Sequence, residues 1–298
     1  MEQARIFEEC RKGGHELPLM SSSCPAWIHY AEQYYPGLLP RISPLKSPQQ
    51  ILGSLIRDWF ERSPEHEGKE LVSVAVSSCV AAKSEARKVE MTRAGLPVID
   101  LVLTTRELAR MIKLSGLDLD QLEPEPPDAP FFSTSSGGKL SAVAGGEAEA
   151  TVRAIFARSI GNELPPSRLH RFRIHKSYRE MTVKEGEAEI RMGTVSGLAN
   201  AARLLKELQS GKRKLDILEI MACPDGCVNG GGQAIPSDEE HLRSRTRAVY
   251  DMDNGSKVHG THRCSNVQQV YEKQLNLPGG KPSMELFCTS HSKRETLL

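Results

Sequence analysis

Three short apolar runs limit what this chain can become: LVSVAV at 71–76, VIDLVL at 98–103 and LDILEI at 215–220. Each has the length and composition of a buried strand, and each stops at a polar or reactive stretch rather than running on. The first ends in SSC at Cys79, the second in Thr104 and Thr105, the third in MAC at Cys223. Helices with their own start signals lie beside them. In TTRELARMI, Thr104 and Glu107 stand at capping-box spacing, and in LKSPQQILGSLIRDWF, Ser47 reads as N-cap, Pro48 as the first helical residue and Gln50 as the third. Ile51, Leu52, Leu55, Ile56 and Trp59 of that segment form one apolar stripe. Strands feeding capped helices predict an α/β fold, with two lobes of twisted, mostly parallel sheet flanked by helices.

The rest of the chain divides around these runs. Residues 118–139, DLDQLEPEPPDAPFFSTSSGGK, concentrate proline, acid, serine and glycine and read as a linker or surface loop. Beyond it, AGGEAEATVRAIFARSI reads as a glycine-led helix, RIHKSYREMTVKEGEAEIRMG as short strands, and SGLANAARLLKELQSG as an amphipathic helix closed by Gly211. From about residue 236 the sequence turns polar and charged, as expected of a small helical tail. The expected division is therefore a first lobe over 1–130, a second over 131–235 and a tail over 236–298.

Composition removes several function classes. Lysine and arginine total 39 against 38 acidic residues, so no single-signed field points to nucleic acid or an anionic membrane surface. Aromatic residues make up 5% of the chain, too few for a base-stacking platform. The longest apolar runs are far too short to span a bilayer, and MEQARIFEEC lacks a signal-peptide core, which places the expected location in the cytoplasm. Seven cysteines, an odd number, then favour metal ligation or catalysis over a disulfide framework.

Four of the seven have telling settings. Cys79 and Cys223 follow strands, where ligands collect in α/β folds, and Cys227 shares the loop MACPDGCVNGGGQ with Cys223. Cys24 precedes Pro25 and a helix-like AWIHYAEQYY, so its sulfur lies near a helix N-terminus, where the dipole favours thiolate. Four thiolates from three loops suit a cubane iron-sulfur cluster, and glycines beside them let the backbone approach. Zinc is the competing metal, although structural zinc usually takes two close cysteine pairs, and burial as small core residues is the bland alternative. Cys10, Cys264 and Cys288 have no such settings and are expected to be structural.

The motifs MSSSCPAW, LPRISPLKSPQQILGSLI, LVSVAVSSCVAAKSEA, DLVLTTRELARMI, SGLANAARLLKELQSGK and LEIMACPDGCVNGGGQ resemble, in order and spacing, the catalytic domain of iron-only hydrogenases. RAVYDMD and THRCSNVQQVYEKQLNLPGGKPSMELFCTSH resemble the small-subunit segment that wraps that domain. The resemblance implies a 4Fe-4S cluster on Cys24, Cys79, Cys223 and Cys227 in the cleft between the lobes. Cys227 would also bridge to a di-iron subcluster bearing carbon monoxide and cyanide. It implies reversible oxidation of dihydrogen to protons and electrons, with a ferredoxin-type carrier, and Lys83, Met221 and Gln49 as residues of the cofactor pocket.

This sequence departs from the family pattern in its surroundings. Ser23 stands where the family has the cysteine that relays protons, Ser77 and Ser78 replace methionine and proline before Cys79, and Ala82 replaces a cyanide-binding lysine. Ser141 falls where a pocket phenylalanine is expected. Of the implied proton path, Ser43 and Glu85 remain, but two expected glutamates fall on Gln3 and Ile6. The family's opening segment is absent, so the expectation is direct electron exchange with a carrier or a partner chain that also completes the pocket. Low turnover or a sensory role follows from the serine. The alternative is a non-catalytic iron-sulfur protein similar to the hydrogenase-like cytosolic assembly factors and prelamin-recognition proteins.

Overall fold

The computed structural model describes residues 1–13, 16–126, 134–161, 163–174, 176–235 and 238–296. In chain order they form α1 (Glu2–Lys12), β1 (Leu19–Met20), α2 (Pro25–Tyr34), α3 (Pro48–Arg62), β2 (Val74–Ser77) and α4 (Ala81–Ala86). The hairpin β3 (Thr92–Arg93) and β4 (Leu96–Pro97) leads to β5 (Leu101–Thr104), α5 (Thr105–Leu114), α6 (Ser136–Lys139) and α7 (Gly146–Ile160). Then come β6 (Tyr178–Glu185), β7 (Ala188–Ser196), α8 (Leu198–Gln209), β8 (Ile217–Met221), α9 (Glu239–Asn254), α10 (Ser265–Val270) and α11 (Lys281–Phe287). The α/β architecture is as expected.

The main sheet has the order β1-β8-β7-β6, with β1 and β7 parallel to β8 and the β6–β7 hairpin antiparallel. Both its faces are covered, which is why all five residues of β8 are buried. Leu218 and Ile220 face a layer that includes Trp27 and Ile28 of α2 and Leu204 and Leu205 of α8. Ile217 faces the other, with Phe7 of α1 and Val152, Ile155 and Phe156 of α7. Each such side chain contributes about 1.5–3 kcal/mol by leaving water. The expected boundary at residue 130 does not separate the two sheets. Leu19 and Met20, far on its N-terminal side, pair with Ile217 and Leu218. A parallel pair can join segments distant in sequence, and alternation of apolar residues does not encode which strand pairs with which.

The second sheet is a parallel pair, β2 with β5, registered Val74 to Leu101 through Ser77 to Thr104. Ala75 and Val102 pack with Ala82, Ala86, Val98 and Ile99 under α4. The opposite face is bare: Val74 is 50%, Val76 49% and Leu101 50% exposed. The strand expected to be buried in LVSVAV is therefore half-buried, because burial needs a covering layer as well as apolar side chains. The Thr104–Glu107 capping box of α5 forms in full. At α3, Ser47 accepts the Gln50 amide as expected, but the reciprocal half of the box does not form: the Gln50 side chain turns to Glu85, to which the Ser47 hydroxyl also donates at 2.8 Å.

The tail is helical and binds both lobes. Asp253 of α9 takes Arg153 of α7 at 3.0 and 2.9 Å and the Ser136 hydroxyl at 2.6 Å, and also pairs with Arg173. Beyond α11, the Lys46 amide donates to the Phe287 carbonyl at 2.8 Å, the Thr289 amide to Pro44 at 2.7 Å, and Arg294 to Glu32 of α2 at 3.0 Å. The expected linker holds only in part. Residues 118–126 are exposed, 127–133 lie outside the described residues, and Ser136 and Gly137 at its end are buried in α6, with amides on the Val258 and His259 carbonyls.

Candidate metal centre

Cys24, Cys79, Cys223 and Cys227 come from three loops, each set by the element before or after it. Cys24 is the N-cap of α2, fixed by Pro25 in the first turn, and its sulfur accepts the Ala222 amide at 3.4 Å. Cys79 follows β2 and precedes α4, whose Ala82 and Ala81 amides point at its sulfur. Cys223 leaves β8 and takes the Gly231 amide, and Cys227 opens a 3-10 turn four residues on. Burial pushes all four thiols up, Cys24 to about 11. Each of Cys24, Cys79 and Cys227 is raised further by the charges of its neighbours, Cys227 by all three others.

The four thiols thus lie within electrostatic reach of one another, and three of them are met by backbone amides. Such a site holds protons when empty and exchanges them for cationic iron, with the amides offsetting the thiolate charge. Among the described residues no three His, Cys, Asp or Glu side chains converge closely enough to hold a single metal ion. A cubane gives each thiolate its own iron, whereas zinc holds all its thiolates at about 2.3 Å on one ion. The donor set fits the cubane cluster.

The glycines explain how the loops meet. Gly226 has φ +94°, and a Cβ there would lie 2.5 Å from the Ala144 nitrogen. A Cβ at Gly230 would run into the Ser78 carbonyl oxygen, and one at Gly232 would stand 2.7 Å from Thr104. The Gly232 amide donates to the Ser78 carbonyl at 2.8 Å, while its own carbonyl accepts the Thr105 hydroxyl at 2.6 Å and the Arg106 amide at 3.2 Å. The bare loop after Cys227 therefore clasps the loop of Cys79 and the start of α5, bringing the two sheets together at the thiols.

The surroundings sort into residues that line this region and residues that do not. Met221, at the end of β8, is buried and packs against Gly226. Gln49 has a buried side-chain nitrogen with no hydrogen-bond partner among the described residues. Lys83 departs from the expectation that it lines the pocket. It is 35% exposed and forms an ion pair with Glu107 of α5 at 2.6 Å, because the capping-box carboxylate lies one short step away. Ala82 is buried under the β2–β5 pair. Ser141 bonds the Gly138 carbonyl at 2.8 Å. Neither position 82 nor position 83 thus presents an unpaired cation to the thiols.

The expected proton path is also interrupted. The Ser43 hydroxyl donates to Gln3 Oε1 at 2.6 Å, so the geometry of a relay survives while a carboxamide, which neither takes nor releases a proton, stands at its next link. Glu85 is not a solvated helix charge. It is buried, faces Ser47, and is pushed up to about 7 by burial, with the Ser47 bond and Lys88 opposing. Glu85 lines a cavity of about 170 Å³ shared with Ser22, Lys46 and, from the tail, Thr289 and His291. Among the described residues no hydrogen bond connects Glu85 to Ser43 or Ser23.

Two carboxyls that sequence reading did not single out lie at the centre. Ser23 donates a short hydrogen bond to Glu147 of α7. Glu219, fully buried in β8, accepts the Gly145 amide at 2.6 Å and the Ala148 amide at 2.7 Å at the start of the same helix. A charge inside the apolar run LDILEI was a visible signal for Glu219; Glu147 looked like an ordinary first-turn acid. Cys10, Cys264 and Cys288 stay outside this region, Cys10 and Cys288 packed on the main core.

The sequence matches the family described as "Iron only hydrogenase large subunit, C-terminal domain" over residues 1–231. It is 34% identical over 283 residues to the NADP-reducing hydrogenase subunit HndD of Solidesulfovibrio fructosivorans, covering 95% of this chain and 48% of that one. It is also 30% identical to the cytosolic iron-sulfur assembly component 3 of Rattus norvegicus, covering 99% of this chain and 63% of the other. The fold superposes on the [FeFe]-hydrogenase HydA1 of Chlamydomonas reinhardtii with a TM-score of 0.85 at 28% identity, over 99% of this chain and 82% of that one. The chain spans about half the length of the curated hydrogenases it matches. No helix among the described residues is long and apolar enough to cross a membrane.

Proposed function

The chain belongs to the iron-only hydrogenase family, and from that premise we propose that it is an iron-sulfur oxidoreductase catalysing the reversible oxidation of dihydrogen at low turnover. Cys24, Cys79, Cys223 and Cys227 would hold a 4Fe-4S cluster, and Cys227 would also be the attachment point of a di-iron subcluster. The cluster pair, when bound, supplies the redox chemistry of dihydrogen, and electrons pass to a ferredoxin-type carrier. The single observation that supports this reading is the set of four thiols within electrostatic reach of one another, three of them also met by backbone amides.

The chain's own residues account for the low turnover. Ser23 stands where an acidic thiol is expected, and a hydroxyl is far less acidic than a thiol. The Ser43–Gln3 contact stops proton traffic on that side. With Ala82 in place of a lysine and Lys83 held by Glu107, an anionic ligand loses a charge-assisted bond, which weakens docking of the di-iron group.

A second reading, a non-catalytic iron-sulfur protein, is favoured by that same loss of cationic docking and by the likeness to an assembly component. One preparation separates the two. The chain is purified without oxygen, its cubane cluster is reconstituted, and a synthetic di-iron precursor is added. Infrared bands of bound carbon monoxide and cyanide together with hydrogen production support the enzyme. Cubane signals without those bands support the second reading.

A further inference from the structure

Glu147 is a carboxyl at the centre to which none of the readings above gives a role. It sits second in α7, and its hydrogen bond is to Ser23, the residue that stands in for the relay thiol. The free amides of the helix start are already taken by Glu219, which is held between Gly145 and Ala148. Two carboxyls therefore share one helix end. Facing them are the Ser23 hydroxyl, the Cys227 thiol and the Arg179 guanidinium of β6, which donates to the Ala144 carbonyl. Glu147 is half-buried, whereas Glu219 is sealed.

We propose that Glu147 is the proton-relay partner of Ser23, the two together serving where a single thiol serves in the family pattern. The inference rests on the enzyme reading above. In the direction of dihydrogen release, a protonated Glu147 reverses the bond and donates to Ser23 Oγ; its carboxyl proton passes to that oxygen while the hydroxyl's own proton leaves into the pocket, and the carboxylate left behind again accepts from Ser23 until solvent reprotonates it. One O–H bond forms on the serine as another breaks, the oxygen carries no net charge afterwards, and no electron moves; oxidation runs the same exchange backwards. The serine is never ionised, so its weak acidity slows the relay without blocking it, and the low turnover then rests mainly on the Ser43–Gln3 link and the loss of cationic docking.

The electrostatics are consistent with a carboxyl that keeps a proton. Burial raises both groups, the Ser23 bond opposing at Glu147, and the charge of Glu147 helps push Glu219 up to about 8. Both carboxyls are thus biased towards keeping a proton, because like charges close together cannot both ionise cheaply.

The test uses the full chain labelled with carbon-13 glutamate, with and without its cubane cluster. Infrared spectra at neutral pH are expected to contain the carbonyl band of a protonated carboxyl that disappears in Glu147→Gln and shifts in frequency in Ser23→Ala. No such band, or a band unmoved by Ser23→Ala, overturns the proposal, whether or not any di-iron group can be loaded. In loaded protein, Glu147→Gln should lower hydrogen turnover by about 100-fold with the carbon monoxide and cyanide bands unchanged. Glu147→Asp should recover part of that loss, and Ser23→Ala with Glu147→Gln should cost no more than either alone. Turnover of Glu147→Gln within about twofold of the parent contradicts the relay. If the carbon monoxide and cyanide bands never appear, it is the enzyme reading that fails, and the carboxyl spectrum still decides the role of Glu147.

Discussion

The two sheets use the same kind of sequence and end up in opposite physical states. LDILEI becomes β8, buried at every position between two helical layers. LVSVAV becomes β2, with alternate residues half in water and only its other face covered. Three of the four thiols, Cys24, Cys223 and Cys227, grow from the ends of the well-packed sheet or from α2 packed on it, whereas Cys79 belongs to the thin one. The glycine loop is the clasp between them. A thiol cluster built this way has one rigid wall and one wall whose position depends on a few backbone contacts.

The largest effect should come from the rigid wall. Leu218→Ala is expected to cost about 2–5 kcal/mol of stability by denaturant melting, because the cavity it leaves lies between two packed layers. An effect below about 1 kcal/mol would erase the contrast between the sheets. Next in size is a buried titration. A carboxyl raised in the folded state binds its proton more tightly there than when unfolded. Stability should therefore fall as pH rises from about 4.5 towards 7 and level off above, by about 3 kcal/mol at most from Glu85. Glu85→Gln should flatten that slope; an unchanged slope would place the sensitivity elsewhere.

The clasp can be probed directly. Gly230→Ala forces a Cβ into the Ser78 carbonyl and should reduce iron uptake on reconstitution several-fold, whereas Gly231→Ala, with Val80 Cγ2 at 3.3 Å, should leave it nearly intact. Equal uptake by both variants would mean that the loop does not position Cys79. The smallest effect belongs to the bare face: Val76→Ser should change stability by about 0.5 kcal/mol or less. A loss above about 2 kcal/mol would reveal a covering layer on that face.

The contrast also explains what could be read in advance. Strand runs, capping residues and the cysteines at strand ends are local signals, and they gave the α/β class and the residues that face one another at the centre. Pairing is not local, so the joining of Leu19 and Met20 to β8 and the bareness of β2 were invisible in the residue pattern. Lys83 was misplaced for a related reason: Glu107, which captures it, lies 24 residues away on another helix. Glu147 and Glu219 become meaningful only when α7 is set against Ser23 and β8.

The most direct test of the four-thiol centre is the iron and sulfide content of the chain reconstituted without oxygen. The parent should bind about four irons and four sulfides per chain with cubane spectra, and Cys223→Ala should lose the cluster. Full iron content in Cys223→Ala, or a single metal ion per parent chain, would contradict the assignment.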